Sequence, residues 1–281
     1  MKRILFLLLA IALMVPAMVS HSEAAASKGK ILVVASSENR MVLKDGSLMN
    51  VGFFLNELAV PTEYLAEQGY DIVVATPSGE PASMDASSND KKFFGGDEAA
   101  RAKAEDFVEH LPVITLASAR DGIEGYAAVF IPGGHAPMTD LMQDENLGAI
   151  LRYVHEHHVL TASICHGPVA LLAALPNAAA YRTALTADDA RSAMQHADDW
   201  IYKGYDMTIL SDAEEWPGEV AKGTEMPFHV EQALQIAGGT MIEQSMYQSH
   251  VVRDRELITG QNPASDHALA KAMAEALAEE K

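Results

Sequence analysis

Hydrophobic residues in this chain fall into two kinds of pattern. Short unbroken apolar runs, the kind that fit strands buried on both faces, occur at residues 30–36, 70–75, 127–131 and 160–164. Between them lie segments with apolar positions at helical spacing. One opens at Gly52-Phe53-Phe54-Leu55-Asn56-Glu57-Leu58 and runs to about Gln68, a second covers 97–110, and a third runs from Glu145 to His157. Residues 80–95, rich in Ser, Asp, Pro and Gly, read as loop, as does the polar, methionine-containing stretch after the first run. Further along, the pattern predicts a helix over Val169 to Leu175, strands at Met207 to Leu210 and Glu256 to Thr259, and an alanine-rich helix from Ala264 onward. Strand and helix alternate with no internal repeat and no long linker. The pattern therefore predicts an α/β chain with one doubly wound, mostly parallel sheet and helices on both faces. Reactive groups in such sheets collect at the carboxyl ends of the strands. Three unusual segments sit there: the loop before Phe53, Gly133-Gly134-His135, and Cys165-His166.

The first 26 residues follow a different rule. Lys2 and Arg3 precede an unbroken apolar run from Ile4 to Val15, and small residues end in Ala24-Ala25-Ala26. The run is well short of the roughly 20 residues needed to span a bilayer, so it reads as a secretory signal peptide cut after Ala26. The expected mature domain is 27–281, periplasmic or secreted, with no membrane attachment after cleavage.

Composition narrows the partners. The 281 residues carry 39 acidic and 20 basic side chains, a formal charge of −19, which argues against nucleic acid or anionic membrane. One cysteine excludes an intrachain disulfide and any cysteine-cluster metal site. In an oxidising compartment a lone cysteine asks for a reason.

Cys165 stands where a strand runs directly into a helix, the geometry of a nucleophile elbow, and the helix N-terminus at the sulfur favours thiolate. Glu57 projects from the apolar stripe of its helix, where a carboxylate is costly unless protonated or paired. Buried near Cys165, it would have a raised pKa and donate a hydrogen bond to the sulfur. His166 needs a third group to orient it, and Asp212, Glu214 and Glu215 are candidates among which spacing does not choose. Gly133 and Gly134 lack the spacing of a dinucleotide fingerprint and instead suit an oxyanion. His155-Glu156-His157-His158 has metal-ligand character but reads better as a solvated helix end, so no metal is assigned.

With these segments in order, the chain resembles the DJ-1/PfpI superfamily, in the branch of glutathione-independent glyoxalase III and heat-shock chaperones. The marks are Val51-Gly52-Phe53-Phe54-Leu55-Asn56-Glu57-Leu58, Ile131-Pro132-Gly133-Gly134-His135, Ser163-Ile164-Cys165-His166-Gly167-Pro168 and Thr259-Gly260-Gln261-Asn262-Pro263-Ala264-Ser265. The resemblance implies a flavodoxin-like three-layer sandwich. It implies Cys165 as nucleophile, Glu57 as its acid, His166 and Glu215 completing a triad, and Gly134 with the His166 backbone as oxyanion positions beside Gly133 and His135. It further implies a small aldehyde such as methylglyoxal as substrate, lactate as product, no cofactor, and room for a homodimer. A holding chaperone, a redox sensor and a cysteine peptidase or amidase are the competing expectations. The segment from Pro176 to Lys203 is longer than in compact members and is expected to reshape the pocket.

Overall fold

The computed structural model describes residues 26–279. Apart from Ala26, the signal-peptide reading lies outside them. In chain order the elements are β1 (Lys30–Val34), the hairpin strands β2 (Arg40–Val42) and β3 (Leu48–Asn50), α1 (Leu55–Glu67), β4 (Asp71–Thr76), α2 (Glu98–Glu109), β5 (Val113–Thr115), α3 (Leu116–Asp121) and β6 (Tyr126–Ile131). They continue with α4 (Glu145–Glu156), β7 (Leu160–Ile164), α5 (Ala178–Thr186), α6 (Ala190–His196), β8 (Asp206–Met207), α7 (Asp212–Lys222) and α8 (Val230–Ala237). Three strands and a helix close the chain: β9 (Thr240–Met241), β10 (Val251–Asp254), β11 (Leu257–Gly260) and α9 (Asp266–Glu279).

Seven strands form one sheet in the order β10-β11-β7-β6-β1-β4-β5. All pairs are parallel except the β10–β11 edge, which is antiparallel. The continuous apolar character of β1, β6 and β7 follows from burial on both faces. In β1, Leu32 and Val34 point into one core, with α3, α4, α5, α6 and α8. Ile31 and Val33 point into the other, with α1 and α9. The α/β three-layer sandwich is the observed architecture.

Several elements differ from the sequence expectation, each for a local reason. The stretch after β1 holds the β2–β3 hairpin, whose three-residue strands are too short to show a period. Edge strands β5 and β10 are only half-buried and lack a continuous apolar run. Residues 207–210 do not join the main sheet: β8 pairs with β9, while the Thr208 N–H donates to Thr259 Oγ1 at 2.8 Å and the Leu210 N–H to Cys165 O at 3.1 Å. The helix after Cys165 is a 3₁₀ helix, Gly167–Ala174, buried throughout. Pro168 in its first turn and the close passage of Gly167 beneath Ile131 O, 2.5 Å from where a Cβ would stand, favour the tighter winding. The Pro176 to Lys203 segment supplies α5, α6 and the buried Trp200 and Tyr202. Its Trp200 Nε1–H donates to Leu171 O at 3.0 Å, so it braces the 3₁₀ helix from behind.

Candidate active site

Cys165 ends β7 with φ of +60°, in the left-handed region that a non-glycine residue occupies only under constraint. The constraint is visible on both sides: its N–H donates to Gly260 O at 2.9 Å, and its carbonyl accepts from Leu210. The turn projects Sγ at the carboxyl edge of the sheet, 3.3 Å from His166 Nδ1. The strained turn brings these two sequence-adjacent side chains together. His166 Nε2 meets Glu215 Oε2 at 2.5 Å, and the other oxygen of that carboxylate meets His135 Nε2 at 3.3 Å. The two imidazoles lie 4.1 Å apart between centroids.

The three acidic candidates therefore separate by geometry. Asp212 pairs with His229 at 3.6 Å and accepts from Gln232. Glu214 is a structural tie: its carboxylate accepts from Ser211, from the Tyr247 N–H, from Gln261 and from Asn262, which explains those two residues of the Thr259–Ser265 motif. Glu215 alone of the three reaches His166. The His135 side chain, grouped in the sequence with the oxyanion glycines, in fact supports Glu215. A histidine directly after Gly-Gly at a strand end was the available signal.

Glu57 is fully buried. Backbone crossings place it. Phe54 N–H donates to Gly133 O at 3.1 Å, and at Gly134, φ +92°, a Cβ would stand 2.0 Å from Gly52 O. At Gly133 a Cβ would stand 2.2 Å from Glu57 Oε2 and 2.6 Å from Cys165 Cβ, so carboxyl and cysteine pack on the same glycine. The Gly133 N–H favours the ionised form of Glu57, and those of Gly134 and His166 favour the anionic form of the sulfur. Gly133 is thus the spacer on which carboxyl and cysteine meet.

These surroundings set the protonation states. Burial pushes Glu57 well above the usual carboxylate range, only partly offset by Cys165, and the charges of Asp266 and Asp85 push the same way. Burial also pushes the Cys165 thiol up, as would an ionised Glu57, against the N–H groups of Gly134 and His166. The pair holds at most one negative charge. Burial holds the proton on Glu57, and at rest the Cys165 thiol faces His166 Nδ1, the N–H groups of Gly134 and His166 favouring the anion that forms once that proton leaves. Burial and the neighbouring His135 push His166 down, leaving a neutral ring. Burial opposes ionisation of Glu215, but the two histidines outweigh it and hold the carboxylate well below its usual range. With Nε2–H donated to that carboxylate, His166 presents an unprotonated Nδ1 to the sulfur.

Helix α7, which carries Glu215, is anchored to the start of α8 by His229, whose Nε2 meets Glu219 Oε2 at 3.0 Å. The bond to Asp212, with help from Glu219, pushes His229 up to about 9 despite partial burial. A histidine raised in the folded state stabilises fully below its unfolded value of about 6.5, and that contribution fades as pH climbs through about 9. Denaturant unfolding is expected to lose about 1 kcal/mol across this window, solvent around the half-buried ring reducing the full value, and His229→Gln is expected to flatten that loss.

His135, His166 and Glu215 are the candidate metal-ligating group among the described residues, with donor atoms within 4.8 Å of one another. Those atoms already satisfy each other, and an ion there would occupy His166. Added zinc is therefore expected to suppress reaction at Cys165 and a chelator to leave it unchanged; loss of that reactivity on chelation would contradict this arrangement. The histidine-rich segment lies elsewhere. His155 Nδ1 bonds Glu256 Oε1 at 2.8 Å, and His157 and His158 are exposed at the end of α4.

Cys165 and His166 are 4% and 2% exposed, so the site admits only a small group without rearrangement. No helix among the described residues is long and apolar enough to cross a membrane.

Comparison with known proteins finds relatives along most of the chain. Protein/nucleic acid deglycase HchA of Pseudomonas aeruginosa is 26% identical over 263 residues, covering 89% of this chain and 81% of that protein. The enzyme of that name from Staphylococcus aureus is 26% identical over 250 residues, covering 87% and 78%. The solved structure of glyoxalase III from Candida albicans, 23% identical, shares the fold with a TM-score of 0.61 over 88% of this chain and 97% of that one. The model described as ThiJ/PfpI family-like matches residues 48–261, which include Glu57, the Gly133–His135 turn, Cys165, His166 and Glu215, and the chain belongs to the ThiJ/PfpI family.

Proposed function

We propose that this protein is a cofactor-free, glutathione-independent enzyme that converts methylglyoxal or a related 2-oxoaldehyde to a 2-hydroxy acid, and that it acts after export directed by residues 1–26. The observation that carries this reading is Cys165 Sγ held 3.3 Å from an unprotonated His166 Nδ1 while a buried, proton-bearing Glu57 packs beside it. The near-complete burial of the pair favours a small carbonyl over an extended peptide. Relatives named protein/nucleic acid deglycase fit the same substrate chemistry, because a glycation adduct is itself formed from a carbonyl compound and an amine.

The sulfur attacks the aldehyde carbon, forming a C–S bond as any thiol proton passes to His166. The resulting oxyanion is met by the N–H groups of Gly134 and His166 and takes up a proton, giving a hemithioacetal. His166 then removes the hydrogen from the sulfur-bearing carbon and delivers a proton to the adjacent ketone carbon, with Glu215 stabilising the imidazolium between the two steps. The product is a thioester of the 2-hydroxy acid. Water cleaves it and restores the thiol, so methylglyoxal and one water become lactate.

The test is incubation of the purified protein with methylglyoxal in deuterated water without glutathione, with lactate followed by NMR. Lactate carrying deuterium at C2 is expected, since the shuttled proton exchanges on His166. Absence of lactate from a folded protein would refute the activity, and lactate without deuterium at C2 would replace the proton shuttle by a hydride shift.

A further inference from the structure

A cavity among the described residues lies away from Cys165. It has a volume of about 640 Å³ and opens between α1, α2, the turn at residues 91–94 and the start of α9. That volume suits a small organic ligand. Cys165, His166, His135 and Glu215 take no part in its lining.

Two of its side chains leave buried acceptors unpartnered. The Asn56 side chain, 1% exposed, donates Nδ2–H bonds to Pro263 O at 2.9 Å and to Asp266 Oδ2 at 2.8 Å. Both partners are acceptors, so the amide cannot be reversed, and its carbonyl oxygen is left buried without a donor. Glu63, one α1 turn-pair further along, has one oxygen on Lys103 at 2.7 Å and the other buried and unpartnered. Asp266 is 5% exposed and its second oxygen accepts only the adjacent His267 N–H. The cations at the cavity are already engaged, Lys103 by Glu63 and Lys92 by Asp90 at 3.5 Å. Val60, Phe93 and Phe94 give the remaining wall an apolar surface.

Unpartnered acceptors at the floor, with aliphatic and aromatic walls above, match a ligand with a donor-rich positive head and a short apolar stem. We infer that this cavity is a binding site for a primary alkylammonium group, such as a lysine side chain or a small aliphatic amine. The ammonium donates to Asn56 Oδ1 and Asp266, which are joined by a hydrogen bond, while Glu63 two helical turns away adds negative charge, and the ligand's methylenes lie against Val60 and the two phenylalanines. Burial of the cation is compensated because it pairs with carboxylates that are themselves poorly compensated.

Calorimetric titration with n-pentylamine, compared with 1-pentanol and valerate, tests this site directly. At neutral pH the amine is expected to bind saturably and at least about tenfold more tightly than the neutral or anionic compound. Asp266→Asn is expected to weaken it by about tenfold, and Glu63→Gln by a smaller factor. Val60→Phe, on the half-buried face of α1, fills the cavity and is expected to abolish binding even if Asp266→Asn folds poorly. Equal affinity for all three compounds, or amine binding unchanged in folded Val60→Phe, would overturn the inference. So would a dimer in solution that Val60→Phe breaks while no form binds the amine, since a second copy would then be the occupant.

Discussion

Cys165→Ser is expected to lower lactate formation by at least about 10³-fold while leaving the fold intact. The substitution preserves size at the elbow, where the residue is 4% exposed and flanked by the bonds to Gly260 and Leu210. What it removes is the ability to carry charge. A hydroxyl must surrender its proton fully to His166, and burial has already lowered the proton affinity of that ring. Thermal unfolding should be nearly unchanged and the initial rate of lactate formation nearly zero. Retention of more than about a tenth of the activity would move the chemistry away from this residue.

Gly133→Ala should damage the site severely without replacing any reacting group. The added Cβ would stand 2.2 Å from Glu57 Oε2 and 2.6 Å from Cys165 Cβ, with Ile164 O at 2.8 Å, so neither a flexible side-chain end nor open space can absorb it. Over-packing here is expected to cost about 3 kcal/mol in denaturant unfolding. Activity is expected to fall by about 10²-fold in the protein that remains folded, because carboxyl and sulfur are pushed from their mutual positions. A stable, fully active alanine variant would show that the close packing of the acid against the cysteine is dispensable.

The strands that build the centre of this fold were legible because burial on both faces writes itself locally. The apolar stretches in β1, β4, β6 and β7 need no knowledge of their neighbours. The β2–β3 hairpin and the edges β5 and β10 escaped because their stability comes from pairing partners distant in sequence, and their side chains are partly wet. Glu57 was legible as a carboxylate on an apolar stripe, and the structure buries it completely. Glu215 was not: spacing left it level with Asp212 and Glu214, and resemblance alone singled it out. Its meeting with His166 depends on the placement of α7, which the links through Glu214, Glu219 and His229 fix in three dimensions. The imidazole of His135 is separated from Glu215 by 80 positions, and no local pattern announces that contact. The helix after Cys165 kept its place but not its type, because Pro168 and the tight passage of Gly167 are packing constraints rather than propensities.

The proposed chemistry rests on the division of protons between buried groups: Glu57 keeps its own, while Cys165 Sγ becomes the anion that attacks. Iodoacetamide alkylation of Cys165 as a function of pH, followed in the native protein and in Glu57→Gln and Glu57→Leu, measures that division. The native protein and Glu57→Gln, whose amide still offers a donor, should alkylate already at neutral pH. Glu57→Leu should need a pH about one unit higher or more. A native thiol that reacts only in the alkaline range of an ordinary cysteine, with the same profile in Glu57→Leu, would contradict it.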